Sequence, residues 1–280
     1  MTIKPKLQRF QTATAFACPI CQEALDLVQQ SLVCTNRHSF DLAKFGYVNL
    51  APQVKASKDY DKENFQNRQF VLENGFYDHI LTSLSECLSP LDHPANILDI
   101  GCGEGYYSRS LQERYPDHSF YAFDLSKESI QLAAKSDQEW RVKWFVGDLA
   151  HLPLLDQSMD LLLDIFSPAN YQEFKRVLAP DGRLIKVIPT AAHLQEIRQK
   201  VKDHLDQADY SNEQIIQHFS DHFTIENTIH CQETFELTPA LREALLSMTP
   251  LLFHVDPAQI DWTDLTQVTI SATILIGRSN

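Results

Sequence analysis

The stretch Asn96-Ile-Leu-Asp99-Ile-Gly101-Cys-Gly103-Glu104-Gly105-Tyr-Tyr107 decides the fold. An apolar run of strand length ends in a glycine-rich turn and opens into a helical pattern from Tyr106 to Tyr115. A strand–turn–helix of this kind lets a ligand approach bare backbone closely. The dinucleotide fingerprint needs its third glycine at 106, and that position is tyrosine. Carboxylates at Asp99 and Glu104 repel a pyrophosphate but tolerate a cationic sulfonium and a free amino group. Nineteen residues after Gly105, the run Ser119-Phe-Tyr-Ala-Phe ends in Asp124, the spacing of a carboxylate that accepts both ribose hydroxyls. These residues fit S-adenosylmethionine better than NAD, with Asp99, Gly101, Gly103, Glu104, Gly105 and Asp124 as cofactor-binding candidates. The plainer alternative is a glycine turn that serves only the backbone.

Outward from this stretch, short apolar strands alternate with helical patterns. Strands are expected at 96–100, 119–124, 142–147, 159–165 and 183–189, with helices at 105–115, 126–135 and 170–178. Such alternation means a mostly parallel sheet with helices on both faces, an α/β fold. The tail reads as helices at 192–206 and 211–219, a strand at 222–234, a helix at 238–247 and a strand at 267–276, the two strands forming an antiparallel edge pair. Upstream, 55–67 reads as a polar linker running into helices through Phe70 and Leu72 and then Ile80, Leu84 and Leu88.

A second signal is independent of the first. Cys18-Pro-Ile-Cys21 is followed by Cys34-Thr-Asn-Arg-His38, so three thiols and an imidazole fall at C-x2-C-x12-C-x3-H spacing. Each half is a tight turn bringing two ligands to one metal, and the twelve residues between suffice for a hairpin. The pattern predicts one structural Zn2+ per chain on Cys18, Cys21, Cys34 and His38; the alternative is four inert buried side chains. The remaining cysteines, 87, 102 and 231, are expected to be unpaired thiols of a reducing, cytoplasmic compartment. No apolar run approaches membrane-spanning length and no signal peptide is evident, so no membrane partner is expected.

The 280 residues carry a net charge of −13, which argues against nonspecific nucleic-acid binding, DNA included. The charge is uneven: residues 1–60 hold seven basic and four acidic side chains, net +3, leaving −16 for the rest. A basic metal module on an acidic body would direct a polyanion to one end; a merely solvated lysine face is the bland alternative. The division read from the sequence is a zinc-binding module over 1–55, a helical linker over 56–92 and a cofactor-binding domain over 93–280.

With CPIC, CTNRHSFDLAKFGYVNL, LDIGCGEGYYS, FDLSK, PTAAHLQE and SMTPLLF in that order, the whole chain resembles the ribosomal RNA large-subunit methyltransferase A family. The resemblance implies a class I (Rossmann-like) S-adenosylmethionine-dependent methyltransferase fold with an N-terminal zinc-binding module, which makes 1–55 an RNA-recognition module, 56–92 a linker and 93–280 a methyltransferase domain. It implies methyl transfer to guanine N1 in the hairpin 35 loop of 23S rRNA domain II, at position 748 in the Gram-positive, tylosin-resistance branch or 745 in the other. It also implies 23S rRNA as partner, a homodimer, and cofactor contacts from Tyr77 in GFYDH and His193 in AAHLQE. A small-molecule methyltransferase and an inactive zinc-dependent RNA-binding protein are the alternatives.

Two departures qualify the resemblance. Asp148, in Gly147-Asp-Leu, is expected at the adenine amino group from general fold logic alone, and Asp164 stands where the other branch places a basic residue. Phe166-Ser-Pro-Ala lacks the Asn/Asp-Pro-Pro-aromatic loop of amino-group methylation, and no Pro-Cys pair offers a pyrimidine nucleophile. Both absences favour a ring nitrogen. Asp164 or a water is the expected acceptor of the N1 proton, and Phe166 the stacking partner of the target base.

Overall fold

A computed structural model describes residues 5–53, 62–204, 210–252, 255 and 260–280. It begins with a helical turn, α1 (Pro5–Gln8), and three strands, β1 (Asp26–Val28), β2 (Ser31–Val33) and β3 (Ser39–Asp41), paired antiparallel in that order. Strand β4 (Tyr47–Asn49) leaves this ribbon, and helices α2 (Lys62–Glu73) and α3 (Asp78–Leu88) follow. Next come β5 (Asn96–Ile100), α4 (Tyr106–Arg114), β6 (Ser119–Asp124), α5 (Lys127–Ser136), β7 (Lys143–Val146), β8 (Met159–Ile165), α6 (Tyr171–Val177) and β9 (Leu178–Pro189). The tail holds α7 (Gln195–Val201), α8 (Glu213–Ser220), β10 (Phe223–Glu236), α9 (Pro239–Met248) and β11 (Gln267–Ser279).

The main sheet has eight strands in the order β10-β11-β9-β8-β5-β6-β7-β4. Pairing is parallel from β9 across to β4, and β11 runs antiparallel to both its neighbours. The order reverses between β5 and β8, so the crevice at their carboxyl ends is where an open α/β sheet binds its ligand. Side chains alternate between two cores: Phe120, Trp144 and Leu163 face α3, α4 and α5, whereas Tyr121, Phe145 and Leu162 face the opposite way.

The second face departs from the expected helical cover. No helix links β7 to β8, and below β6 and β7 the N-terminal segment takes its place. Phe16, fully buried, meets Tyr121 and Phe145 edge-on with ring centroids at 5.2 Å in each case. The Tyr121 hydroxyl accepts from the Thr14 and Ala15 amides at 3.1 and 3.3 Å. Arg9, 2 % exposed, pairs with Asp137 at 3.2 Å, donates to the Gly46 carbonyl at 2.8 Å and lies over the Trp140 ring. Strand β4 then joins the main sheet itself, Val48 opposite Phe145. The ribbon is thereby sewn to the sheet by burial, hydrogen bonds and one strand pairing.

The polar stretch before the sheet is more ordered than its composition suggests. Helix α2 starts at Lys62, inside the expected linker; residues 55–61 of that linker lie outside the described residues. Its amides supply the missing cohesion: Asn64 and Asn67 donate to Ser247 at 3.0 Å each, and Gln69 donates to Ser136 at 3.1 Å. Phe70, read from sequence as part of an apolar face, points outward at 43 % exposure.

Candidate functional site

The four expected zinc ligands converge. The ligand atoms of Cys18, Cys21, Cys34 and His38 all lie within 4.8 Å of one another. Cys21 Sγ and Cys34 Sγ are 3.7 Å apart, and His38 Nδ1 is 3.5 Å from both Cys18 Sγ and Cys34 Sγ. Tetrahedral zinc with Zn–S bonds of about 2.3 Å spaces its sulfurs by about 3.8 Å, so the donor set fits that ion, which His38 would bind through Nδ1. The turns explain the convergence. Gln22 and Arg37 adopt left-handed φ of 63° and 65°, and their amides close onto the carbonyls of Cys18 and Cys34 at 2.8 and 2.9 Å. Hydrogen bonds from the Asn36 side chain and the Glu23 backbone hold the Cys21 thiol down to about 6, toward the thiolate a metal requires.

The glycine loop at the end of β5 follows its sequence reading. Gly101, Gly103 and Gly105 all have positive φ, 64°, 56° and 79°. Their roles divide by surroundings. A Cβ on Gly105 would strike Trp144 at 2.4 Å and Ala133 at 2.9 Å, so this glycine seats α4 on β7 and α5. On Gly101 it would strike Ser167, at 2.9 Å. Gly103 is different: the nearest atom is 3.7 Å away, on the Arg68 guanidinium. Of the three, it alone leaves room beside its Cα, under the Arg68 guanidinium.

Carboxylates surround this loop, each braced by the protein. Asp99, 2 % exposed, accepts from Ser108 Oγ at 2.6 Å, and burial pushes its carboxyl up to about 7. Asp124 accepts from the Gly103 amide at 3.1 Å and the Ser126 amide at 2.8 Å, which ties the end of β6 to the glycine loop. Burial raises its pKa, against the pull of those two amides. Asp148 lies in the turn after β7 and accepts from the Ala150 amide at 2.9 Å. Glu104 is fully buried and faces Arg68 Nε at 3.0 Å.

Tyr77, Phe166 and His193 form an aromatic wall beside the loop. Phe166 stacks on His193 at 5.7 Å between centroids and meets Tyr77 edge-on at 6.0 Å. Phe166 sits at φ 53° and Leu194 at φ 53°, left-handed backbone that costs about 1–3 kcal/mol at a non-glycine residue and clusters at functional sites. His193 Nδ1 accepts from the Ser271 amide at 3.3 Å, which puts the ring proton on Nε2. Burial, with Arg198 and His79 nearby, pulls the His193 pKa down to about 4, so the ring is neutral at pH 7.

Asp164 requires a correction to its reading as a free proton acceptor. It is fully buried, with Oδ2 on Lys186 Nζ at 2.5 Å and Oδ1 accepting from Ser167 Oγ at 2.7 Å. Strand alternation turns it to the face of Leu162, opposite the face of Leu163 and Ile165, which share a core with Tyr77. Burial pushes its carboxyl up and Lys186 opposes this. Its visible work is to hold the Phe166–Ser167 turn, since Ser167 Oγ also reaches the Ile100 carbonyl at 2.8 Å.

Arg68 is the site residue that sequence reading missed. One signal was available: Phe65, Arg68 and Leu72 fall at i, i+3 and i+7, one face of a helix, and both apolar neighbours are buried.

Comparison with known proteins agrees with both halves of this geometry. Residues 97–182 match the family described as "Methyltransferase domain", and residues 16–58 match "RlmA, N-terminal". A relative from Bacillus subtilis named "Putative 23S rRNA (guanine-N(1)-)-methyltransferase YxjB" is 34 % identical, over 97 % of this chain and 99 % of its own. The "23S rRNA (guanine(748)-N(1))-methyltransferase" of Streptomyces fradiae is 27 % identical, over 93 % of this chain and 95 % of its own. A chain from the complex of the Haloferax volcanii Trm112 methyltransferase activator with a methyltransferase superposes with TM-score 0.52 at 17 % identity, covering 81 % of this chain and 99 % of that one, a likeness of fold alone. The donor sets described above fit zinc and S-adenosylmethionine, the metal and cofactor of a class I methyltransferase with a zinc ribbon. With a relative 34 % identical along nearly its whole length, the chain belongs to the 23S rRNA (guanine-N1)-methyltransferase family.

Proposed function

We propose that this chain transfers the methyl group of S-adenosylmethionine to N1 of a guanine in 23S rRNA, at position 748 in the loop of hairpin 35. The observation that carries the reading is the full-length likeness to relatives of that name, spanning ribbon and methyltransferase domain together. The Streptomyces fradiae relative bears 748 in its name, which supports that guanine over 745. In this reading the bound cofactor would supply an electrophilic methyl, and the protein's residues hold and orient the two reactants.

Asp124, Gly103 and Glu104 line the cofactor's berth, with Asp99 and Gly101 shaping the loop behind them and Gly105 seating the helix that follows. Asp148 faces the adenine. Tyr77, Phe166 and His193 form the wall where a base removed from its stack meets the methyl group. Asp164 acts as a positioning residue through Ser167 and Lys186, and the N1 proton leaves to water. The ribbon, with Arg37 and Lys44 exposed, reads the RNA backbone. Two basic readers around one RNA favour a homodimer. No helix among the described residues is long and apolar enough to cross a membrane, and an rRNA substrate implies a cytoplasmic enzyme.

A methyl on guanine N1 blocks Watson–Crick pairing, so reverse transcription reads the product directly. The expected outcome is a stop at 748 in wild-type rRNA, absent from a deletion strain and restored by the gene, with tylosin-type macrolide tolerance following the same pattern. A stop unchanged by the deletion overturns the proposal.

A further inference from the structure

The Arg68–Glu104 pair lies at the one glycine of the loop that has room beside its Cα. Arg68 Nε stands 3.0 Å from Glu104 Oε2, and the guanidinium approaches the position of a Gly103 Cβ to 3.7 Å. Yet the pair is poorly satisfied. Neither carboxylate oxygen of Glu104, nor Arg68 Nε, nor the nearby Tyr107 hydroxyl has a hydrogen-bond partner in the protein. A fully buried carboxylate held by one guanidinium edge, with the rest of its accepting capacity unused, is costly unless a ligand completes it. The other cation that Glu104 feels, Arg109, is committed to Glu73 at 3.1 Å.

The methionyl end of S-adenosylmethionine is a zwitterion, one carboxylate and one ammonium on the same carbon. The orphaned pair presents the complementary charges side by side. Resting on the functional reading above, we propose that Arg68 is the counterion of the cofactor's carboxylate. Cofactor entry exchanges the Arg68–Glu104 pair for two new ones, carboxylate with Arg68 and ammonium with Glu104. Because Arg68 rides on α2, held at its other side by Ser247 of α9 and Ser136 of α5, the exchange also fixes that helix over the cleft.

The test is calorimetry on the full zinc-loaded chain with three ligands: S-adenosylmethionine, S-adenosylhomocysteine and 5′-methylthioadenosine, which keeps the nucleoside but lacks the amino acid. Arg68→Met is expected to weaken the first two alike, by about 10- to 100-fold, the factor of a lost charged hydrogen bond. Methylthioadenosine should change by less than about two-fold, because its contacts do not involve the pair. Arg68→Lys, which keeps the charge without the fork, should recover part of the loss and carries the same comparison should Arg68→Met fail to fold. Unchanged or tighter S-adenosylmethionine binding overturns the inference, since Arg68 would then be a plug to be displaced. An equal loss for all three ligands overturns it too, as a general distortion of the loop. A wild-type chain that binds none of the three overturns the functional reading instead.

Discussion

The two ligand sites of this chain are built in opposite ways. The Cys3His cluster draws its donors from 21 consecutive residues, and two knuckle turns bring the four ligand atoms within 4.8 Å of one another. The glycine-loop cleft draws its groups from the ends of β5, β6 and β8, from α2 and from the segment before α7. Each carboxylate there is braced by a different neighbour: Asp99 by Ser108, Asp124 by two amides, Glu104 by Arg68. The comparison teaches where each site is vulnerable. The cluster depends on one ion, whereas the cleft depends on the whole sheet keeping its strands in register.

Removing the metal is the largest expected blow. Structural zinc contributes on the order of 10 kcal/mol to modules of this size. Here the ribbon also covers β6 and β7 through Phe16, so the loss should spread past it. Cys34→Ala, or a strong chelator, should lower the unfolding midpoint of the entire chain in calorimetric scans. Two separate transitions, with the methyltransferase domain melting unchanged, would break the picture of a sewn-in ribbon.

The two neighbouring glycines sharpen the contrast within the cleft. Gly105→Val drives a side chain into Trp144 at a left-handed φ and should cost about 3 kcal/mol or more in stability. Gly103→Val carries the same left-handed strain but meets no packed side chain that close, so it should melt higher than Gly105→Val while abolishing cofactor binding by calorimetry. Equal melting losses for the two would erase the distinction between a packing glycine and a ligand-facing one.

Smaller effects follow at the rim. Asp124→Ala should weaken S-adenosylmethionine and S-adenosylhomocysteine alike by about 1–3 kcal/mol, because it removes an acceptor and frees the Gly103 amide. His193 makes the cleft pH-sensitive. Its folded pKa, about 4, lies below the unfolded value of about 6.5, so the fold favours the neutral ring. That contribution is present above pH 6.5 and is lost as the pH falls from 6.5 toward 4. Between pH 7 and 5 the loss is about 2 kcal/mol, and His193→Asn should flatten that part of the stability–pH curve. The smallest change is expected from Lys44→Glu, which should weaken RNA binding and reduce its salt slope by about one or two while leaving the cofactor constants untouched.

Much of this was legible in the sequence, for physical reasons that also mark the limit. The strands from Asn96 to Pro189 announce themselves as apolar runs, because a parallel sheet covered on both sides buries both faces of each strand. The zinc ligands are legible because local turns fix their spacing. Strand β4 is not: three residues, Tyr47–Asn49, carry no periodicity, and their partner is about a hundred residues away. The start of helix α2, from Lys62 to Asn67, is not legible either, because its amides find their partner on α9. For Asp164 the position at a strand end is visible in sequence, whereas its parity relative to Tyr77 and its pairing with Lys186 are not.

The aromatic cover that Phe10 and Phe16 lay over the sheet also sets an order of assembly during synthesis. Thr14 waits for Tyr121, 107 residues later, and Arg9 for the carbonyl of Asp137, 128 residues later. The cap leaves the exit tunnel long before the surface it caps exists. The knuckles can close on their ion at once, since their contacts are local, but docking demands a long chain closure and comes late. Until β7 is made, a finished ribbon carries a bare aromatic underside. That makes the nascent chain's window of stickiness a matter of translation speed through residues 50–146.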